Sequence, residues 1–429
     1  MGHGDPVVYN DAQCAEAKQW SGMTKYGRSP WIDRFPKSRV PSWPRHRDHL
    51  DTDVVIVGGG LTGCATAYAL AASGVKTVLV EGGQIGHGGA GAAAGWVAED
   101  PTVGFDDLEK MLGLRAARGA FQAWRRAALD FGALLRRLDI KCHLEPRATI
   151  TVAGTTEQVA RLKREQKSRR DAGLHAPFAD AGVINNEAGL TASAGLRGKD
   201  GATLDPYRAC VGLATAAAAR GAQLFDRSPA RGIRFGRRTV EVHTAGGTIR
   251  AGRVVVATGI PTPLFKALAR HFWFRSAYLV LTEPVPAKIR HQLGKRAAVV
   301  RDLADPPHVV RWIDDERLLV MGADGASPPE RQRGKIIVQR TGQLMYELST
   351  LYPDISGILP EYGWDAPYAR TAEGLPFIGP HRNFPHHLFA FGGPSYGVTG
   401  AYLASRIVLR HCLDDLDPAD EVFGFGERI

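Results

Sequence analysis

The clearest pattern of hydrophobic and polar positions begins after Asp53. An apolar run at 54–57 is followed by a cluster of glycines, then by a longer run of small and apolar residues ending at Gly74, and then by a second apolar run at 77–80. Short apolar runs bounded by glycine favour buried strands, and the longer run favours a helix that glycine terminates. This pattern predicts a strand, a helix and a second parallel strand joined by a right-handed crossover.

Further along the chain, the spacing of apolar residues predicts helices first and strands later. We expect helices over 106–137, 155–171 and 206–219, mostly strands over 222–257 and 275–321, a last strand over 388–391 and a final helix over 399–411. Residues 1–50 are rich in Pro and Trp and are expected to form an extended arm, because Pro interrupts helices. The predicted fold class is mixed α/β, with a Rossmann-like parallel-sheet domain and a second domain on an antiparallel sheet.

Length and composition narrow the class of protein. A chain of 429 residues is long enough for two or three domains. No apolar run approaches the length of a membrane helix and the first residues lack a secretory pattern, so we expect a cytoplasmic protein without a membrane span. The five cysteines form no C-x-x-C pair, so neither a disulfide framework nor a metal site is expected.

The positive charge is concentrated in one region. The formal net charge is +10, and counting through residues 111–175 finds 14 Lys or Arg against 6 Asp or Glu. This region suits a solvated helix face or, alternatively, the docking of an acidic partner. It lacks the interleaved aromatic residues that stack on bases, so nucleic acid is not expected as a partner.

A glycine motif, G-x-G-x-x-G, follows the first predicted strand at residues 58–63. Its first glycine permits a tight turn, its second lets the backbone approach a pyrophosphate, and its third brings helix and strand together. The second strand ends at Glu81, where a carboxylate can accept hydrogen bonds from ribose hydroxyls and disfavours a 2′-phosphate. We therefore expect a dinucleotide other than NADP to be held by Gly58, Gly60, Leu61, Thr62, Gly63 and Glu81.

Both NAD and FAD fit this motif, and the segment that follows distinguishes them. Residues 82–96 contain seven glycines when counted along the sequence. A backbone with so few side chains can lie close against a flat ring system, which favours a flavin.

Later passages complete a recognisable order of motifs. These lie at 200–206, 254–259 and 370–379, and a glycine cluster follows at 392–399. Together with the motif at 58–63 they resemble the FAD-dependent D-amino-acid oxidase, glycine oxidase and sarcosine oxidase superfamily, in the same order over about 53–412.

The resemblance implies an FAD-binding domain assembled from separated segments, with a substrate domain over the flavin. The FAD domain would comprise 51–140, 190–265 and 365–415, and the substrate domain 141–189 and 266–364, between an arm at 1–50 and a tail at 416–429. The positions at which some relatives attach FAD covalently fall on Ala92 and on or near Ala366, so non-covalent FAD is expected. His87 is out of register for such a linkage.

The resemblance also implies cofactor contacts beyond the first motif. The Ala230 backbone would meet the adenine, and Thr258 and Gly259 would lie near the phosphate and ribose. The helix that follows Val398 and Thr399 would direct its N-terminus at flavin N1 and the C2 carbonyl, where negative charge accumulates on reduction. The implied set is Gly82, Gly88, Gly89, Ala90, Gly95, Trp96, Ala230, Thr258, Gly259, Gly393, Tyr396, Gly397, Val398 and Thr399.

The substrate side departs from the family pattern. The arginine with which glycine oxidase relatives pair a substrate carboxylate falls on Tyr368, and the sarcosine oxidase lysine falls on Thr399. Tyrosine cannot form the bidentate contact that arginine makes, so a plain or bulky amine suits the site at least as well as an amino acid. Arg370 could replace the lost arginine or, as the alternative, form a surface or structural salt bridge.

Further candidates for the substrate wall lie in 272–281 and 308–320, which we interpret as neighbouring strands. They are Arg275, Tyr278, His308, Arg311 and Trp312. The predicted catalytic set is Tyr278, Arg311, Tyr368, Arg370 and Tyr396.

The resemblance implies an enzyme that oxidises a C–N bond of an amine or amino acid by hydride transfer to flavin N5, giving an imine that hydrolyses. The electron acceptor would be oxygen or another acceptor. Three alternatives stay open: a dehydrogenase serving a protein or quinone acceptor, a flavin-binding protein that has lost catalysis, and a relative that modifies RNA.

Overall fold

The computed structural model describes residues 23–393 and 398–426. In that part of the chain the strands form two large sheets and one small sheet. The strands are β1 Lys25–Tyr26, β2 Leu50–Val57, β3 Thr77–Val80, β4 Trp96–Val97, β5 Glu145–Pro146, β6 Ala148–Ala153, β7 Phe178–Ala179, β8 Ala194–Gly198, β9 Ala202–Thr203, β10 Gln223–Phe225, β11 Gly232–Phe235, β12 Val240–His243, β13 Thr248–Gly259, β14 Trp273–Thr282, β15 Ala298–Arg301, β16 Val309–Ile313, β17 Arg317–Ala326, β18 Pro360–Arg370, β19 Phe377–His381 and β20 Phe384–Phe391.

The helices pack on and between these sheets. They are α1 Pro30–Asp33, α2 Leu61–Ala72, α3 Gly89–Ala92, α4 Phe105–Leu112, α5 Leu114–Arg137, α6 Thr156–Asp171, α7 Ala181–Ala188, α8 Pro206–Ala219, α9 Ala287–Arg290, α10 Glu330–Leu351 and α11 Val398–Leu413. Short 3₁₀ segments lie at Lys37–Arg39, Pro263–His271, Pro353–Ile355 and Pro418–Phe423. In the described residues no helix is both long and apolar enough to cross a membrane.

The first sheet has the order β10-β3-β2-β13-β12-β11, with β20 also paired to β13. β2 runs parallel to β3 and to β13, and β13 runs parallel to β20. The helix α2 connects β2 to β3, which confirms the predicted strand, helix and parallel strand. The carboxyl ends of these parallel strands therefore meet at one edge, which is where ligands bind in sheets of this type.

The second sheet has nine strands in the order β1-β18-β14-β17-β16-β15-β6-β8-β7. Its centre is antiparallel, because β14 pairs antiparallel with both β17 and β18. Together the two sheets confirm the predicted mixed α/β class. The domain boundaries stay a prediction. Two strands do not follow them. β8 lies in the nine-stranded sheet, although the range 190–265 was assigned to the cofactor domain, and β18 extends across the boundary drawn at residue 365.

One strand interpretation was wrong. The stretch 308–320 is not a single neighbour of β14, because it contains β16, a turn and the first four residues of β17. β17 lies between β14 and β16 and separates them. The turn falls at Asp314 and Asp315, which both adopt a left-handed backbone with φ of 51° and 52°.

The two faces of the nine-stranded sheet have different neighbours. Its helix face carries Tyr278 and Val280 and packs under Leu344 and Leu348 of α10. Its loop face carries Leu279 and Trp364 and packs against the segment 92–98, which ends the glycine-rich stretch. The Trp364 indole N–H donates to the carbonyl of Ala92 at 2.9 Å, which ties the sheet to that stretch.

Several helix boundaries match their predictions and one does not. α8 spans the predicted 206–219, and α6 begins after Thr155, whose hydroxyl accepts from the Gln158 amide while the Gln158 side chain accepts from the Thr155 amide. The predicted helix over 106–137 is divided at Gly113, which has φ of 82°. Glycine adopts this left-handed conformation readily, so the chain changes direction there.

The described part of the N-terminal arm packs on the glycine-rich stretch. Trp31 is buried, and its indole N–H donates to the carbonyl of Ala93 at 2.9 Å. The arm is not wholly extended, since one helical turn begins at Pro30 and is capped by the Ser29 hydroxyl. Proline is tolerated there because the first helical residue needs no amide donor.

Candidate flavin site and substrate cavity

The glycine motif forms a turn in which each glycine has a distinct steric reason. Gly58 has φ of +113°, and a Cβ there would lie 2.7 Å from the Ala257 carbonyl oxygen on β13. A Cβ on Gly63 would lie 1.9 Å from the carbonyl oxygen of Gly58. A Cβ on Gly60 would meet nothing within 4 Å. The first and third glycines thus allow close packing, while the second borders open space that a pyrophosphate can enter.

The amides that follow the turn belong to the first turn of α2, at Leu61 and Thr62. These amides lie at the N-terminal end of a twelve-residue helix, where amides without intrahelical partners and the helix dipole both favour the binding of an anion. This arrangement fits the phosphates of a dinucleotide.

Glu81 is held by the backbone across the turn. One carboxylate oxygen accepts from the Gly59 amide and the other from the Gly83 amide, both at 2.7 Å. A carboxylate has about four acceptor positions, so it can also accept from ribose hydroxyls. The side chain is therefore oriented before any ligand binds.

A second loop closes this end of the site. The Ser228 amide donates to the Glu81 carbonyl at 2.7 Å, and the Asp226 carboxylate accepts from the Ile85 amide at 2.8 Å. These bonds bring half-buried Ala230 to the same edge of the sheet. Asp226 was not predicted as a site residue, because nothing in its local sequence reveals a contact that spans 141 residues.

The glycine-rich stretch has an open part and a packed part. A Cβ on Gly88 or Gly89 would meet nothing within 4 Å, and Gly82 is also exposed. In contrast, a Cβ on Gly95 would lie 2.2 Å from the Leu204 carbonyl oxygen. Trp96 is buried and donates its indole N–H to Thr149 at 3.1 Å. Gly95 and Trp96 therefore have packing roles whether or not they also contact a ligand, and buried Ala90 lies between the two parts.

The ends of the parallel strands meet near the start of α11. Gly259, with φ of +70°, accepts through its carbonyl from the Gly392 amide at 3.1 Å. A Cβ on Gly259 or Gly393 would meet nothing within 4 Å. The hydroxyl of Thr258 donates to the Ile260 carbonyl at 2.8 Å. Open space thus continues along this edge of the sheet.

α11 begins beside this edge at Val398, which is buried together with Thr399. The Thr399 hydroxyl donates to the Ala98 carbonyl at 2.8 Å, which connects the helix start to the end of the glycine-rich stretch. The predicted residues Tyr396 and Gly397 lie outside the described residues.

A cavity of about 320 Å³ lies at the carboxyl end of β20. Its walls come from α4, α6, the segment 301–307 and the segment from Tyr368 to Gly374, and Gly392 closes the end nearest the first sheet. Two of the five predicted catalytic residues, Tyr368 and Arg370, line it. It borders both the loop face, through Tyr368, and the open edge of the first sheet, through Gly392.

Tyr368 donates its hydroxyl hydrogen to a carboxylate oxygen of Asp324 at 2.6 Å. Burial raises the pKa of Asp324, and the bond from Tyr368 acts against that rise. Asp324 was missed at the sequence level, because it lies just after Ala323, whose φ of 51° marks an irregularity in β17 that alternation does not reveal.

Arg370 forms a double contact, with one guanidinium nitrogen 2.9 Å from each carboxylate oxygen of Asp305. It therefore stands in an ion pair at the cavity mouth, with 32% of its side chain exposed.

Three other candidates do not face this cavity. Tyr278 lies on the helix face, with the Arg340 guanidinium 5.8 Å from its ring centre. Trp312 is on the same face under Arg296. His308 contacts Asp302 at 2.6 Å and Glu347 of α10 at 3.3 Å, which raise its pKa. The structure therefore places Tyr278 away from this cavity.

Arg311 lies on the loop face but in a different place. It is buried against the Trp31 ring, donates to the Leu204 carbonyl at 3.0 Å, and lines a separate cavity of about 200 Å³. Burial lowers its pKa to about 9. Arg275 is nearer to Tyr368, since the two residues are paired across β14 and β18.

Glu99 is a third residue that sequence reasoning missed, after Asp226 and Asp324. Its carboxylate accepts from the amides of Asp200 and Lys199 at 2.5 and 3.2 Å. Burial and the nearby Asp100 raise its pKa to about 7. It fixes the passage beginning at 200 against the end of the glycine-rich stretch.

The basic region 111–175 is partly neutralised by neighbouring acids. Seven of its cations form ion pairs, namely Arg125, Arg126, Lys141, Arg147, Arg161, Lys167 and Arg169. This observation is consistent with a solvated helix face.

Together, the glycine turn, the oriented acid at the end of β3 and the open edge of the parallel strands are typical of a dinucleotide-binding enzyme. A family model described as FAD dependent oxidoreductase, DAO, matches residues 53–410. The chain belongs to this family, and it is an FAD-dependent enzyme. The predicted family, enzyme class and cofactor are thus confirmed.

Related proteins share the same extent of chain. The probable oxidoreductase OrdL of Haemophilus influenzae is 25% identical over 373 residues, covering 85% of this chain and 83% of that protein. Gamma-glutamylputrescine oxidoreductase of Escherichia coli is 24% identical over 379 residues, covering 87% and 86%. The crystal structure of glycine oxidase from Geobacillus kaustophilus has a TM-score of 0.73 at 21% identity, covering 89% of this chain and all of that one. The structural match shows the shared fold.

Proposed function

We propose that the protein oxidises a C–N bond of a small amine or amino acid held in the 320 Å³ cavity. The observation that carries this proposal is the position of the cavity, between the loop face and the open edge at Gly259 and Gly392. Several relatives are named for glycine, proline or gamma-glutamylputrescine as the compound acted on, and each of these carries a C–N bond.

The chain's own residues would hold the cofactor along that edge. The amides after Gly60 would bind the pyrophosphate, Glu81 the ribose, and the backbone at Ala230 the adenine. Gly88 and Gly259 border open space and would leave room for the ring system and its linker. When bound, FAD supplies the hydride acceptor.

The protein would then orient the substrate and exclude water. Tyr368 and the walls formed by α4 and α6 would hold the amine in position. The N-terminus of α11 would direct the positive end of its helix dipole toward the negative charge that develops on the flavin ring. Such chemistry depends on orientation more than on an acid and base pair. No residue is assigned as a general base.

The test is an anaerobic visible spectrum of the FAD-loaded protein, followed by additions of primary amines, N-methyl amines, and D- and L-amino acids. Bleaching of the flavin by one of these classes is expected. Alcohols are added as a separate comparison class, and bleaching by alcohols but by no amine or amino acid would contradict the proposal. Air is then readmitted. In an oxidase the reduced flavin is reoxidised at once, whereas in a dehydrogenase it stays reduced until another electron acceptor is added.

A further inference from the structure

We propose that Arg301 binds a carboxylate at the end of the 320 Å³ cavity formed by Arg301 and Thr102, and that the protein therefore prefers amines with a carboxylate several bonds from the C–N bond that is oxidised. This inference rests on the proposed function and names the substrate class. Arg301 is the last residue of β15.

Arg301 differs from the other charged residues of the cavity wall. Four wall acids each form an ion pair with a cation: Asp106 with Lys110, Asp107 with Arg161, Glu165 with Arg169, and Asp305 with Arg370. Arg301 also lines the cavity, but it forms no ion pair with any acid of residues 23–393 and 398–426. Its charge is therefore available to an anionic ligand.

The contacts of Arg301 place its guanidinium beside the cavity. Its Nη2 donates to the main-chain carbonyl of Thr102, which is itself a wall residue. The Arg301 Nε and the Thr102 hydroxyl oxygen are both buried, and neither has a hydrogen-bond partner in the part of the chain that the structure describes. Buried polar groups in folded proteins are normally paired. Two unpaired groups on neighbouring side chains, one of them on a cation, therefore suit an acceptor such as a carboxylate.

The sheet order separates Arg301 from the reacting end of the cavity. Tyr368 lies on β18, and the strands β14, β17 and β16 lie between β18 and β15. Four strand spacings of about 4.8 Å amount to roughly 19 Å. The carboxylate of an α-amino acid is attached to the carbon that bears the nitrogen, so it would stay near the flavin edge at Gly392. A carboxylate at the end of a longer chain can extend to Arg301.

The size of the cavity allows such a chain. A volume of about 320 Å³ corresponds to roughly ten water-sized groups. An amine joined to a carboxylate by five or so methylene groups fits within this volume.

The charges on the β18 side favour the same orientation. Glu373 lines the cavity in the turn that follows β18, and its negative charge disfavours a substrate carboxylate there. Arg275 is the rival cation, because it is paired with Tyr368 across β14 and β18, but it does not line this cavity. The wall as a whole is not positive, so selection of an anion depends on the position of Arg301.

The first experiment varies the position and charge of the far group. The probes are 6-aminohexanoate, its isomer 2-aminohexanoate, hexylamine and 1,6-diaminohexane, each mixed anaerobically with the FAD-loaded protein. The rate of flavin reduction tests the proposed function, and the Kd from the perturbation of flavin absorbance tests this inference. We expect 6-aminohexanoate to bind at least about tenfold more tightly than each of the others, as hydrogen bonds to a charged group imply.

The variants assign the preference to a residue. Arg301→Gln should reduce the advantage of 6-aminohexanoate over hexylamine about tenfold or more. Arg301→Lys, which keeps the charge without the planar fork, should retain part of it. Arg197→Gln, on β8 two strands from β15, removes the same charge outside this cavity and should leave the advantage unchanged.

Thermal unfolding with and without FAD checks that each variant is folded. If Arg301→Gln does not fold, Arg301→Lys decides the question, since a partial loss of the advantage is expected and an unchanged advantage would overturn the proposal.

Three further results would overturn it. They are tighter binding of hexylamine or 1,6-diaminohexane than of 6-aminohexanoate, tighter binding of 2-aminohexanoate, and an advantage of 6-aminohexanoate that survives Arg301→Gln. If no amine reduces the flavin, the proposed function fails. In that event, binding of hexanoate that Arg301→Gln weakens would still support the carboxylate site, and hexanoate binding that is absent or independent of Arg301 would refute it.

Discussion

Two substitutions in the glycine turn should distinguish residues needed for packing from residues needed for cofactor binding. In Gly63→Ala the new Cβ would lie 1.9 Å from the Gly58 carbonyl oxygen, so α2 and β2 must move apart. In Gly60→Ala the Cβ would meet no protein atom within 4 Å, and the φ of −77° suits alanine. The first change should therefore damage the protein itself, and the second should act mainly on the ligand.

The size of each effect follows from the contact. A Cβ needs roughly 3.2 Å or more from a carbonyl oxygen, so Gly63→Ala must displace backbone by more than about 1 Å, and overpacking of this kind costs about 1–3 kcal/mol. Gly60→Ala should cost under about 1 kcal/mol in the apoprotein, since alanine is only a poorer helix cap.

The assay is thermal unfolding of the apoprotein and of the FAD-loaded protein, with FAD affinity from fluorescence quenching. Gly63→Ala should lower the Tm of both forms, whereas Gly60→Ala should lower only the FAD-loaded Tm and the affinity. Equal apoprotein Tm values for wild type and Gly63→Ala would refute the packing argument. Wild-type FAD affinity in Gly60→Ala would refute the placement of the pyrophosphate.

Three further predictions follow from single contacts. Tyr278→Phe should leave the rate of anaerobic flavin reduction within about twofold of wild type, because the Tyr278 ring faces α10. A decrease in that rate comparable to the one caused by Tyr368→Phe would show that Tyr278 contributes to the substrate site. Trp31→Phe removes the donor to the Ala93 carbonyl and should cost about 1–2 kcal/mol of unfolding free energy by denaturant titration; an unchanged midpoint would contradict an anchored arm. Glu99 has a pKa of about 7 in the folded protein, above its unfolded value, so the free energy of unfolding should fall as pH rises from about 4.5 to 7. Glu99→Gln should flatten this dependence of stability on pH. An unaltered dependence would show that Glu99 does not cause it.

The nucleotide half of the fold could be predicted because its determinants are local. The turn at 58–63 and the acid at the end of β3 lie within one strand, helix and strand unit, where steric and hydrogen-bonding needs restrict residue choice. Glu81 reaches Gly59 across only 22 residues.

The substrate half could not be predicted in the same way, because its contacts are distant and depend on the face of a strand. The sequence does not show which way Tyr278 faces, since alternation along β14 defines two faces without saying which one α10 covers. Asp324 was missed because an irregularity near Ala323 places it beside Tyr368, 44 residues further along the chain.

The central claim is that this FAD-dependent enzyme oxidises a C–N bond, and a single-turnover product count tests it most directly. The FAD-loaded protein is reduced anaerobically by an acyclic amine that bleaches it, and the carbonyl compound and the released ammonia or amine are measured. The account predicts one carbonyl compound and one released nitrogen product for each flavin reduced. Flavin reduction with no released nitrogen product would contradict it.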